Sequence, residues 1–113
     1  MSRNFTPEQQ AEIQHLQNMS QQLNTLQQNY MQLESKKREL DRTLNAIKDL
    51  EDESEVYRSA GQILFKTNIS DTRKSLSEDL ELLDVRVIKS KKQIEDLDKR
   101  VKDKEEQIRA TIQ

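Results

Sequence analysis

Hydrophobic side chains in the first half of the chain recur at alternating intervals of three and four residues. A repeat of about 3.5 residues, sustained over many turns, is typical of a helix that buries a narrow seam in a coiled coil. Thr6 is placed to cap this helix, with Pro7 as its first residue and Gln9 closing a capping box. We predict helix 1 over residues 7–52. Its seam comprises Leu16, Met19, Leu23, Leu26, Tyr30, Leu33, Lys37, Leu40, Leu44 and Ile47.

A second stripe with the same spacing lies beyond residue 70 and includes two polar members, Ser90 and Lys104. Ser70 is a candidate N-cap, and Asp71 would interact favourably with the dipole in the first turn. We predict helix 2 over residues 71–112, and the similar lengths of the two helices favour an antiparallel coiled coil. Its seam comprises Leu76, Leu80, Leu83, Val87, Ser90, Ile94, Leu97, Val101, Lys104 and Ile108.

The polar seam positions favour one register for the two helices. Antiparallel coils match an a-type position with a d-type position, and this rule allows Lys37 to lie opposite Ser90. The polar residue of the first seam would then meet a polar residue of the second. The same register pairs Ile47 with Leu80, Leu44 with Leu83, Leu40 with Val87 and Leu33 with Ile94.

The segment between the helices is enriched in β-branched and aromatic residues on both sides of Gly61, the one glycine of the chain. This pattern predicts a β-hairpin over residues 54–67 whose turn needs a positive φ at Gly61. A two-stranded hairpin is marginally stable alone, and its apolar side chains need cover. We therefore expect hairpins from several subunits to join into one sheet or barrel. The rival interpretation is a tight connector between the helices.

The composition argues against an ordinary globular core and against an enzyme. Only 32% of the 113 residues are hydrophobic, against roughly 45–50% in typical domains, and the 19 basic and 21 acidic residues are interspersed. No basic stripe favours nucleic acid. With one histidine, no cysteine and no phosphate loop, we expect neither catalysis nor a metal or cofactor. No apolar run predicts a membrane span or secretory signal, and we expect a cytoplasmic protein.

The hairpin segment resembles that of a known family. The run from Glu55 to Lys66, with its Val-Tyr pair, its Ser-x-Gly turn and its Ile-Leu pair, is similar to the β class of prefoldin subunits, co-chaperones of archaea and eukaryotes. A single hairpin between two long helices fits the β class, since the α class carries two. The polar seam residues Ser90 and Lys104 depart from the family's apolar heptads.

The resemblance implies a mainly α fold, in which residues 1–113 form one unit with a hairpin inserted in a long antiparallel coiled coil. Prefoldins assemble as hexamers of two α-class and four β-class subunits, whose hairpins form an intersubunit β-barrel platform. They hold non-native polypeptides at the coiled-coil tips, without nucleotide, and pass them to a group II chaperonin. On this chain the platform would fall on Val56, Tyr57, Gly61, Ile63, Leu64 and Phe65, and the client-binding tips on Phe5, Ile13, Leu16, Met19, Ile108 and Ile112.

The residues near the chain ends give this interpretation some independent support. Phe5, Ile13 and Ile112 lie off the predicted seams, and residues 1–32 contain nine glutamines but only three charged residues. Such ends are suited to weak, repeated contacts with unfolded chains. The alternatives are frayed terminal residues and solvent-facing glutamines. For the whole protein, the main alternative is a homodimeric coiled-coil scaffold or tether, which predicts a rod-like dimer without β structure.

Overall fold

A computed structural model describes residues 4–112; residues 1–3 and 113 of the predicted unit lie outside the described part. Helix α1 spans Pro7–Ile47, strands β1 and β2 span Glu55–Ala60 and Ile63–Asn68, and helix α2 spans Ile69–Ile112. The predicted fold class, two long helices with an antiparallel hairpin between them, is confirmed at the level of this chain.

The start of α1 is the predicted capping box. The Gln9 backbone N–H donates to the Thr6 hydroxyl oxygen at 3.1 Å, and the Thr6 N–H donates to the Gln9 side-chain carbonyl at 3.0 Å. Two of the backbone donors that a helix start leaves unpaired are thereby satisfied.

The end of α1 lies at Ile47, whereas the sequence pattern extends the helix to residue 52. Arg73, from the first turns of α2, donates to the backbone carbonyls of Ile47 at 2.9 Å, of Lys48 at 3.3 Å and of Leu50. Its guanidinium also contacts the Asp52 carboxylate at 2.5 Å. The carbonyls at a helix end have no intrahelical partner, so Arg73 supplies a C-terminal cap from another element.

The start of α2 differs from the predicted one. Asn68, not Ser70, is the N-cap: its side-chain oxygen accepts the Asp71 backbone N–H at 2.8 Å, and its amide nitrogen donates to the Asp71 carboxylate at 3.2 Å. Ser70 lies inside the first turn, where its N–H donates to the Asp52 carbonyl at 3.0 Å. Asn and Ser are about equally good caps, so residue type alone does not distinguish them.

The hairpin has a two-residue loop, Gly61 and Gln62, between strands paired from Glu55–Asn68 to Ala60–Ile63. Gly61 has φ +61°, as predicted, and no non-glycine residue in the described part of the chain has a positive φ. A positive φ at only the first loop residue is the type II′ pattern, whose twist matches that of the flanking strands.

Within residues 32–87, the end of α1 packs antiparallel against the start of α2. Lys37 forms an ion pair with Asp84 at 2.8 Å, while the later residue Ile47 contacts the earlier residue Arg73. The core of this part is apolar apart from one buried threonine. Its buried side chains are Ile69, Thr72, Leu76, Leu83 and Val87.

Residues 4–31 and 88–112 form a second packed part, again with antiparallel helices. Met19 packs with Leu97 and Val101 in its centre. The half-buried side chains of Leu16, Leu23 and Leu26 lie around this cluster, and Ser90 and Ile108 are buried in the same part.

The register expected from the sequence is wrong by about one heptad. Lys37 pairs with Asp84, which lies six residues before the expected partner Ser90. Met19 packs with Val101, whereas the expected register, continued to this part of the chain, would place Met19 opposite Ile108. Continuing the observed alignment from Met19 and Val101 places the small, buried Ser90 at the level of the larger Tyr30. The long side chain of Lys37 extends out of the seam and places its ammonium group against the Asp84 carboxylate beside the seam.

Candidate assembly and client-binding surfaces

The hairpin exposes apolar side chains on both of its faces. Strand alternation places Ile63 and Phe65 on one face with the half-buried Val56, and Tyr57 and Leu64 on the other. Tyr57 and Leu64 are 67% and 69% exposed, and Ile63 is exposed to a similar degree. A hairpin that only connected two helices would not need apolar residues on both faces.

The hairpin also has open edges within residues 4–112. Its sheet has two strands, so each pairs with one neighbour and presents backbone N–H and C=O groups on the other side. Both faces also carry charged side chains: Lys66 and Glu55 form an ion pair at 2.8 Å on the face of Tyr57, and Arg58 lies opposite Phe65 on the other face. Open edges and two apolar faces are the features through which a strand pair adds to a larger sheet.

The start of α1 and the end of α2 lie together at one tip. Phe5 is half-buried and lines a cavity of about 190 Å³ with Asn4, Gln9 and Ile112. The Gln9 side-chain amide donates to the Thr111 carbonyl at 3.2 Å, which ties the first turn of α1 to the last turn of α2. Phe5 and Ile112, which the sequence pattern could place only off the seams, therefore lie beside the same cavity.

The other residues predicted at the tips differ in accessibility. Ile13 and Leu16 are half-buried, whereas Met19 and Ile108 are buried, with 5% and 9% of their surface exposed. Phe5, Ile13, Leu16 and Ile112 are therefore the partly accessible members of the predicted set, and of these Leu16 packs against the cluster around Met19. Contact between a client and Met19 or Ile108 requires the helix ends to separate.

An ion pair that the sequence analysis missed joins the helices near the tip. Lys104 donates to the Glu12 carboxylate at 2.6 Å. This hydrogen bond, and then the positive charge itself, holds the pKa of the Glu12 carboxyl below its ordinary value of 4.5. The polar seam position of Lys104 was the available signal, because a cation in an apolar seam needs an anion across the interface.

The glutamine-rich part of α1 lines a groove with an apolar floor. Gln21, Gln22 and Thr25 surround Leu26 and Leu97 in a space of about 460 Å³. The amide groups at its rim both donate and accept hydrogen bonds but carry no charge. Such a groove places uncharged hydrogen-bonding groups beside apolar side chains.

The described residues contain no group of three or more His, Cys, Asp or Glu side chains arranged to hold a metal ion. Among the same residues, no helix is long and apolar enough to cross a membrane.

Comparison with known proteins identifies the family. A sequence profile described as "Prefoldin subunit" matches residues 10–113. Prefoldin subunit beta of Methanococcoides burtonii is 33% identical over 99% of this chain and 96% of that protein, and that of Methanosarcina acetivorans is 30% identical with the same coverage.

A solved structure shares the fold. The crystal structure of the prefoldin beta subunit from Thermococcus strain KS-1 matches with a TM-score of 0.84 and 27% identity, over 97% of this chain and 96% of that one. Prefoldins are chaperone subunits that form hetero-oligomers, and they are not known as enzymes. The chain therefore belongs to the prefoldin subunit family and to its β class.

Proposed function

We propose that this chain is a subunit of a hexameric co-chaperone, in which four copies assemble with two α-class subunits through their hairpins. The hexamer captures non-native polypeptides at its coiled-coil tips and delivers them to a group II chaperonin without hydrolysing nucleotide. The observation that carries the proposal is the hairpin with apolar side chains on both faces.

The assembly step follows from the need to cover the hairpin. Leu64 and Tyr57 need apolar partners on one face, while Ile63 and Phe65 need them on the other. Neighbouring hairpins in a closed barrel cover these faces and remove the open edges at once. Gly61 supports assembly indirectly, because its positive φ shapes the turn that aligns the strands.

Client capture follows from the chemistry of the tips. Phe5, Ile13 and Ile112 offer apolar surface at one end of the helix pair, and the neutral glutamine-lined groove lies farther along it. Each contact with an unfolded chain is weak. Six tips acting on one polypeptide convert weak contacts into useful affinity, because every binding event after the first is intramolecular.

Native mass spectrometry of the chain mixed with an α-class prefoldin subunit tests the assembly step. We expect a hexamer of two α and four β subunits, which Ile63→Lys/Leu64→Lys should abolish. Met31→Lys is the matched control, because Met31 is an equally exposed hydrophobic residue on α1 outside the hairpin. A dimer that ignores the α-class subunit would contradict the proposal and favour the homodimeric scaffold or tether.

Suppression of client aggregation tests the tips in the assembled hexamer. We expect Phe5→Gln/Ile112→Gln to weaken suppression several-fold without changing the native mass, because apolar contact area is lost. Phe5→Leu/Ile112→Leu keeps the tip apolar and should retain most of the suppression. Equal suppression by the Gln and Leu variants would refute the tip assignment.

A further inference from the structure

The outer face of α2 carries three exposed aliphatic residues that neither seam nor hairpin explains. Leu82, Val85 and Ile88 are 63%, 64% and 70% exposed, and they are the large exposed hydrophobic residues of α2 among residues 4–112. The seam residues Leu83 and Val87 beside them are buried, so this stripe lies outside the seam. Leu82 is at the edge of the stripe, where it also lines a cavity with Leu40 and Thr43 of α1. Aliphatic residues in successive turns of an outer face mark an interaction surface.

Charged residues lie at both ends of this stripe along the helix, acidic at the N-terminal end and basic at the C-terminal end. Glu78 and Glu81 precede it, Lys89 and Lys92 follow it, and all four side chains are exposed. None of the four forms an ion pair within the described part of the chain. At about 100° per residue, these charges and the three aliphatic residues fall within about 120° of the helix surface.

The order of residues on this face is symmetric about Val85. Leu82 lies three residues before Val85, and Ile88 lies three residues after it. The charged residues are placed in the same way, with Glu81 and Lys89 four residues from Val85 and Glu78 and Lys92 seven residues from it. Hydrophobic residues therefore occupy mirror-related positions, and each acidic position mirrors a basic one. A two-fold axis through Val85, perpendicular to the helix, would bring every residue of the face against a complementary one.

We propose that this face, defined by Glu78, Glu81, Leu82, Val85, Ile88, Lys89 and Lys92, docks against the same face of a second copy of this chain, with the two α2 helices antiparallel. Val85 then meets its own counterpart, Leu82 packs on Ile88 of the second copy, and Glu78 and Glu81 pair with Lys92 and Lys89 of that copy. Such an isologous contact is closed, since the same patch serves both partners.

The charge pattern selects the antiparallel arrangement. If the two helices ran parallel about the same stripe, Glu78 and Glu81 would face their own counterparts, and Lys89 and Lys92 would do the same. Like charges placed opposite one another destabilise a contact, whereas the antiparallel arrangement forms four complementary pairs. In this contact the two hairpins lie at opposite ends of the paired α2 helices. The contact therefore joins separate copies or separate assemblies, and it does not depend on the proposed hairpin platform.

Disulfide trapping tests this contact directly, because the chain contains no cysteine. In the full-length chain under mild oxidation, we expect Val85→Cys to form a covalent dimer. Glu106→Cys is the matched control: it is exposed at the same heptad position, but the two-fold axis would leave its two copies about 60 Å apart. Equal trapping of the two variants would overturn the proposal.

Mixing two single-cysteine variants tests the direction of the helices. Leu82→Cys mixed with Ile88→Cys should give the mixed dimer in preference to either symmetric one, because these positions meet across the antiparallel contact. A preference for the two symmetric dimers would indicate parallel helices and overturn the proposal.

Charge reversal in the Val85→Cys background tests complementarity. Lys89→Glu/Lys92→Glu should reduce trapping at least about tenfold, since four attractive pairs become repulsive. Adding Glu78→Lys/Glu81→Lys to that variant restores opposite charges and should restore trapping. Trapping should persist in Ile63→Lys/Leu64→Lys, which separates this contact from hairpin assembly. Trapping that is insensitive to charge, or lost with the hairpin, would contradict the inference.

Discussion

Arg73 shows how a single side chain defines the junction between helix and hairpin. Although Arg73 belongs to α2, it donates to the carbonyl of Ile47 at the end of α1 and to those of Lys48 and Leu50 just after it. It also forms an ion pair with Asp52. A planar guanidinium serves several acceptors at once, which an ammonium group does less well. The sequence pattern continues past Ile47, so the helix end is set by this tertiary contact.

We expect Arg73→Ala to lower the free energy of unfolding by about 2 kcal/mol, because carbonyls now bonded to a charged donor lose that partner. Arg73→Lys should recover less than half of the loss. Urea unfolding at one fixed protein concentration measures both. Arg86→Ala, at an exposed position of α2, is the control, and a loss as large as that of Arg73→Ala would show that Arg73 has no special role.

At the scale of the elements, the spacing of hydrophobic residues and the local composition predicted the helices and the hairpin. They did not predict how the two helices align. The Thr6–Gln9 capping box and the positive φ of Gly61 follow from local chemistry, and both are present. Register does not follow from local chemistry, since sliding one helix by a heptad still places apolar residues against apolar residues. Matching Lys37 with Ser90 failed because a long cation reaches beyond the seam, here to Asp84.

The platform and tip residues could be predicted only as candidates, for a related reason. The apolar alternation of the hairpin identifies Ile63, Leu64 and Phe65 as residues in need of cover, and they are exposed in the single chain. The tip geometry depends instead on how the start of α1 contacts the end of α2. The hydrogen bond from Gln9 to Thr111 brings together residues from opposite ends of the sequence, which no local pattern encodes.

Competitive disulfide trapping tests the observed register. Met19→Cys/Val101→Cys should crosslink within one chain, because Met19 packs with Val101 in the cluster near the tip. Met19→Cys/Ile108→Cys, the pair expected from the one-heptad shift, should remain reduced, since its positions are separated by about 10 Å along the axis. The crosslinks are read by gel mobility and peptide mapping. Preferential crosslinking of the second pair would refute the register.

At the scale of the whole molecule, the single chain leaves much of its apolar surface exposed to solvent. In the single chain, the hairpin exposes Tyr57, Ile63, Leu64 and Phe65, while the seams of the coiled coil are narrow. Stability should therefore depend on assembly, because a partner that binds only the folded state shifts the unfolding equilibrium by mass action.

We expect the melting temperature of the chain, mixed with an α-class subunit, to rise by about 5–10 °C over a hundredfold increase in concentration. Ile63→Lys/Leu64→Lys should flatten this dependence by removing the hairpin contacts. Calorimetry at high salt, which screens the charges on the outer face of α2, isolates the hairpin contribution. A melting temperature independent of concentration would contradict stabilisation through hairpin assembly.

The two ends of the hairpin are joined to the helices in different ways. Strand β2 ends at Asn68 and α2 begins at Ile69, which is fully buried and donates its N–H to the Ser54 carbonyl, whereas residues 48–54 separate α1 from β1. Mechanically, the first joint is a direct continuation of the backbone, whereas the second is a segment held to α2 by Arg73, by the Ser70 N–H and by the Ile69 N–H. A load applied to the hairpin would therefore reach α2 from both strands, through the backbone from β2 and through these hydrogen bonds from β1.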